Sequence, residues 1–187
     1  MSARKRKQCF SFTWMPSVWV KETPDMAHNI FIDLDGVMAD FDGYFFKRFG
    51  RVCQIMEDDE MWSLIDSEEP NFFLNLPLME NSIEIFAKTL EYAELAPIFL
   101  TACPKHTYHA AAEQKKEWVK RNICERSLVL PVLGGANKRC FLQNRGDVLI
   151  DDFEKNIIPW IQNGGHGIHH KSVEDTKQQL DQYFNGR

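Results

Sequence analysis

An α/β fold, a Rossmann-like parallel sheet with helices on both faces, is what the sequence predicts, and three observations carry that reading. Short, nearly continuous apolar runs recur along the chain, as in strands covered on both faces. They alternate with segments whose apolar residues repeat at helical spacing. Three of the runs end in carboxylates or a hydroxyl, groups that a parallel sheet would gather at the ligand-binding edge.

The first run, 30–37, is read as a strand that ends in Asp33 and Asp35, with Gly36 allowing a sharp turn after them. A helix over 39–49 follows, flanked by Gly50. Acidic and aromatic residues then mix over 56–76 without strand character. Glu57-Asp58-Asp59-Glu60 reads as a solvated helix start, and Trp62, Phe72 and Phe73 read as apolar anchors. Segment 41–76 is therefore predicted to be a small helical cap inserted into a core of 28–40 and 77–187.

Ile83, Phe86, Ala87, Leu90 and Ala93 predict a helix over 80–93, and 96–101 predicts a second buried strand ending at Thr101. The helix expected over 110–122 turns Trp118 and Val119 inward, with Lys115, Lys116 and Lys120 mostly outward. A third strand, 128–133, runs into a flexible glycine-rich loop carrying Lys138. A fourth, 147–152, ends in Asp151 and Asp152. A helix over 153–162, a strand around 167–168 and a helix over 173–184 complete the pattern.

The chain has 187 residues, 44% of them apolar, enough for one core and a modest insertion. A net charge of −5 argues against a nucleic-acid polymer as partner. The five cysteines are scattered and form no Cys-x-x-Cys pair, as suits reduced thiols in a cytoplasmic protein. No apolar run reaches the roughly 18 to 20 residues of a membrane span. Residues 1–27, with Arg4-Lys5-Arg6-Lys7, Trp14, Pro16 and Trp19, are expected to form a poorly ordered extension rather than a signal peptide. A homodimer is compatible with the sequence.

Two carboxylates one residue apart repel each other unless a cation intervenes, and a hard divalent ion such as Mg²⁺ accepts carboxylates and phosphate oxygens together. Alone, Asp-x-Asp-Gly also describes an acidic surface turn, Thr101 a turn hydroxyl and Lys138 a solvated cation. Their order along the chain, between two acidic strand ends, favours phosphoryl transfer instead: a carboxylate nucleophile, a hydroxyl and a lysine on phosphate, and a metal held by acids. His106, His109, His166, His169 and His170 lack a zinc-type spacing, and Cys103 lacks an evident base, so these read as structural.

In order, Asp33-Leu34-Asp35, Thr101, Lys138 and Asp151-Asp152 resemble the four motifs of the haloacid dehalogenase-like hydrolases. Within them, Asp33-Leu34-Asp35-Gly36-Val37-Met38-Ala39-Asp40-Phe41, Phe72-Phe73-Leu74-Asn75-Leu76, Leu100-Thr101-Ala102-Cys103-Pro104 and Leu149-Ile150-Asp151-Asp152 look like the 5′(3′)-deoxyribonucleotidase family, over about residues 28 to 170. The resemblance implies a haloacid dehalogenase-like core and a Mg²⁺-dependent phosphomonoesterase acting on deoxyribonucleoside monophosphates through an aspartyl-phosphate. Asp33 would be the nucleophile and Asp35 the general acid/base. Thr101 and Lys138 would hold phosphate. Asp33, Asp35 through its carbonyl, Asp151 and Asp152 would form the metal site, and Phe41 would contact the nucleoside, with Trp62 and Phe72 as further candidates for a base platform.

The chain departs from the pattern at Ala102, where serine is common, and in a longer stretch after Lys138, which leaves Lys115 and Lys105 as rival lysines. Two alternatives stand beside this reading. A phosphatase of the same superfamily could act on a sugar phosphate. A non-enzymatic phospho-receiver domain uses similar groups but places its acidic pair first and its acceptor later, and it has no room for a cap.

Overall fold

The computed structural model describes residues 28–93 and 95–186; the predicted extension, 1–27, lies outside them. Five parallel strands, β1 (Ile30–Ile32), β2 (Ile98–Cys103), β3 (Val129–Leu133), β4 (Val148–Asp151) and β5 (His166–His169), form one sheet in the order β3-β2-β1-β4-β5. The chain builds outward from β1 through β2 to β3, then returns to the other side of β1 for β4. The direction therefore reverses between β1 and β4, the place where open α/β sheets leave a crevice beyond their strand ends.

Helices α1 (Phe41–Phe49), α2 (Asp58–Glu68), α3 (Ile83–Tyr92), α4 (Tyr108–Asn122), α5 (Glu154–Gln162) and α6 (Val173–Asn185) complete the chain. Successive side chains of a strand point to opposite faces, and the sheet accordingly has two cores. Ile30 and Ile32 of β1 join the larger one, with residues of α3, α4 and α6 and of the segment after β1. Phe31 joins the smaller one with Leu100, Leu149, Ile157 and Trp160, its ring set edge-on to Trp160 at 5.2 Å. The buried indoles are hydrogen-bonded: Trp160 donates to the Asp147 carbonyl (2.9 Å) and Trp118 to that of Leu76 (2.7 Å).

Segment 41–76 holds α1, α2 and 3₁₀ turns at Cys53–Ile55 and Phe72–Leu74. Asp40 caps α1 by accepting from the Gly43 amide at 2.9 Å, and Gly50 ends it in the left-handed conformation. Phe41, Tyr44, Phe45, Phe49, Trp62, Phe72 and Phe73 pack together as the segment's apolar interior. Gln114 of α4 fastens it to the sheet, accepting from the amides of Phe73 (3.1 Å) and Leu74 (3.4 Å) and donating to the Pro70 carbonyl (2.8 Å).

Four local expectations are corrected. The first strand stops at Ile32, and 33–39 form a tight turn in which the Leu34 carbonyl accepts from the amides of Val37, Met38 and Ala39. β2 continues to Cys103, so Thr101 lies within the strand, opposite Pro131, and not at its end. Lys138 sits on a 3₁₀ helix, Gly135–Phe141, instead of a flexible loop. Lys115 is buried rather than outward, because it shares the inward face of α4 with Ala111, Ala112, Trp118 and Val119. Among the described residues no helix is long and apolar enough to cross a membrane.

Candidate active site

Because β1 and β4 are hydrogen-bonded neighbours, the residues just past them meet. The ladder extends one step further, the Asp33 amide donating to the Ile150 carbonyl at 2.9 Å. Asp33 is 6% exposed; its Oδ1 accepts from the Leu34 amide at 2.7 Å, and its Oδ2 lies 2.6 Å from Lys138 Nζ. The same ammonium lies 2.6 Å from Asp151 Oδ2 and is wholly buried. Asp151 is held further by the Phe153 amide at 2.9 Å and by Asn156 Nδ2 at 3.1 Å from each oxygen.

Asp152 is exposed beside them, its carbonyl accepting from His169 Nε2 at 2.9 Å. Gly36 closes the floor beneath it. With φ at +76° the turn favours glycine, and a Cβ there would lie 2.1 Å from Asp152 Oδ2. One oxygen each from Asp33, Asp151 and Asp152 falls within 4.8 Å of the others, the one such acidic, thiol or histidine group among the described residues.

Three carboxylates against one ammonium leave this centre short of positive charge. Partial loss of water on its inner side, with Asp33 and Asp151 close by, lifts the Asp152 pKa to about 7 although the residue keeps an exposed face. Burial and Asp33 raise Asp151 to about 6 although Lys138 opposes them. Burial disfavours the Lys138 charge, but Asp33 and Asp151 outweigh it and the pKa ends above the ordinary value. A set of hard oxygen donors with excess negative charge fits Mg²⁺.

A second centre lies across the turn, under β2. Lys115 Nζ, 2% exposed, donates to Asp35 Oδ2 (2.5 Å), Thr101 Oγ1 (2.9 Å) and the Ala102 carbonyl (2.6 Å). Asp35 Oδ1 is buried without a hydrogen-bond partner. Burial pushes the Asp35 pKa up, Lys115 opposes, and Asp33 adds to the rise. The carboxylate of Asp35 thus belongs to Lys115 and not to the three-acid cluster.

The two lysines differ in what they have left to give. An ammonium has three N–H groups. Lys115 has committed all three, whereas Lys138 faces two carboxylate oxygens and keeps one donor. Lys105 is exposed on the wall of a cavity of about 600 Å³, whose lining also includes Asp35, Phe41, Asp58, Asp59 and Trp62.

Phe41 and Trp62 therefore face the cavity. Phe72 does not, being 1% exposed inside the aromatic cluster, which corrects the expectation that it meets substrate. Cys103 is buried with its thiol pKa raised by burial first, consistent with an inert side chain. His170 pairs with Thr176 at 2.7 Å.

Sequence reasoning missed Lys115 as an inward group, and also Asn156. Both carry the same signal, a polar residue on the apolar face of an amphipathic helix: Lys115 between Ala111 and Trp118, Asn156 beside Ile157 and Trp160.

No protein-family model matches the chain, and no curated protein matches it. Among solved structures, a hydrolase from Streptococcus pneumoniae TIGR4 aligns over 83% of this chain and 98% of its own, at 13% identity and a TM-score of 0.46. Nothing about the chemistry follows from a likeness at that level.

Proposed function

We propose that the protein is a Mg²⁺-dependent phosphomonoester hydrolase acting on deoxyribonucleoside monophosphates. The observation that carries the reading is the Asp33–Lys138–Asp151 triad, with Asp152 beside it and a cavity opening over Asp35. Asp33 attacks phosphorus, and the bond to the leaving oxygen breaks as Asp35 hands it a proton. Water then attacks the aspartyl-phosphate, giving its proton to Asp35 and freeing Asp33 and inorganic phosphate. Lys138 uses its remaining donor on a phosphate oxygen, whereas Thr101, buried with its Oγ1 accepting from Lys115, is not part of the cavity lining. Asp33, Asp151 and Asp152, with the Asp35 carbonyl, would hold Mg²⁺, which when bound offsets phosphate charge.

Phe41 and Trp62 on the cavity wall support a flat base as the rest of the substrate. Asp58 and Asp59 on the same wall favour a second reading, a sugar phosphate whose hydroxyls donate to them. Phosphate release across nucleoside monophosphates and sugar phosphates, with Mg²⁺ and after chelation, separates the two. The proposal expects nucleotides to lead and activity to vanish in EDTA and return with Mg²⁺. Full turnover in a sample free of metal by elemental analysis would sink it.

A further inference from the structure

We infer that Phe73 is a positioning residue that acts through Lys115 to set the aim of Asp35. The inference rests on the phosphoester-hydrolase reading. Lys115 fixes Asp35 Oδ2, and the Asp35 side chain, 28% exposed, lines the cavity in which it would exchange a proton with the reacting oxygen. Three sides of the Lys115 ammonium meet Asp35, Thr101 and the Ala102 carbonyl, and Nζ lies 4.6 Å from the centre of the Phe73 ring.

That ring is 4% exposed, so it closes the ammonium off from water, which strengthens each bond that Lys115 makes. The neighbouring residue on α4, Gln114, clamps the Phe73 amide. One turn of α4 thus ties the cap's 3₁₀ turn to the carboxylate that handles protons. Lys115 and Phe73 touch no reacting atom in this scheme. Their effect is on where the Asp35 proton is presented while the P–O bond to the leaving group breaks and the Asp33–phosphorus bond forms.

A proton from Asp35 matters for a leaving group that departs as a strong base and little for one that departs unaided. The test compares kcat/KM for phenyl phosphate and 2,4-dinitrophenyl phosphate, both with Mg²⁺ and both lacking a nucleobase, because kcat/KM reports steps up to departure of the leaving group. The ratio of the two values on one preparation is independent of how much of it is folded.

Lys115→Met is expected to lower the phenyl phosphate value about 100-fold more than the dinitrophenyl value. Phe73→Leu should do so about 10-fold, Phe73→Tyr should keep the wild-type ratio, and the double variant Lys115→Met/Phe73→Leu should match Lys115→Met alone. An unchanged ratio in Phe73→Leu, or losses that add in the double variant, overturns the inference while leaving the hydrolase reading in place. Failure of the wild-type protein to hydrolyse either ester overturns both.

Discussion

Two buried lysines, some residues apart in sequence and on opposite sides of β1, meet their carboxylates in different ways. Lys138 is outnumbered by Asp33, Asp151 and Asp152, two of which have pKa values lifted to about 6 and about 7. Lys115 faces one carboxylate and two neutral acceptors and is closed by an aromatic ring. The first centre has unmet demand for positive charge and a spare donor, which suits it to a cation and a phosphate. The second is saturated, which suits it to holding one side chain still.

The largest expected effect strikes the first centre. Asp33→Asn keeps the shape of the side chain but cannot supply an anionic nucleophile, so phosphate release should fall on the order of 10⁴-fold or more. Circular dichroism should report an unchanged fold, and wild-type turnover by that folded variant would end the covalent scheme.

The comparison itself is tested by stability. Lys138→Met strands two buried carboxylates and should cost about 3 to 5 kcal/mol in denaturant titration. Lys115→Met should cost less, because Asp35, at 28% side-chain exposure, can reach water. The reverse order would show that the second centre, not the first, carries the electrostatic load.

Phe41→Ala keeps the charged groups of both centres and removes a ring that lines the cavity and also packs in the aromatic cluster. Nucleotide kcat/KM should drop by roughly 1 to 3 kcal/mol, the scale of one base–aromatic stack, with a smaller loss on p-nitrophenyl phosphate. Equal losses would assign Phe41 to the fold.

The smallest effect is the pH response of the metal-free chain. Asp151 and Asp152 have folded pKa values raised from 3.8, so between about pH 4 and 7 the folded state keeps protons that the unfolded state has lost. Stability therefore falls as pH rises through that window and levels off above it. Solvent screening at the exposed Asp152 reduces its share, so the buried Asp151 carries most of the change. Mg²⁺ should raise Tm more at pH 8 than at pH 5, where protons compete for the same oxygens. A Tm shift equal at both values would mean that the ion binds elsewhere.

The sequence by itself determined the strands, because buried parallel strands are written as apolar runs, and it determined that acids follow two of them at one edge, because parallel strands share a direction. The structure moved Thr101 from a strand end into β2. Residues 41–76, aromatic and acidic without strand pattern, form helices and 3₁₀ turns and contribute no strand. What the sequence left open was partnership. Asp35 and Asp33 are two residues apart, yet they answer to different lysines, since the turn built on the Leu34 carbonyl points their carboxylates to opposite sides of β1. Phe72 and Trp62 look alike as aromatic candidates, and only packing puts one inside the cluster and the other on the cavity wall. The sequence puts Lys138 first for phosphate, with Lys115 and Lys105 as rivals, and the tertiary contacts add that the three donors of Lys115 are already taken. Helical and strand periodicity act over a few residues and survive in the sequence, whereas the pairing of charges 80 or 105 positions apart is set by how the sheet brings β1, α4 and the 3₁₀ helix together.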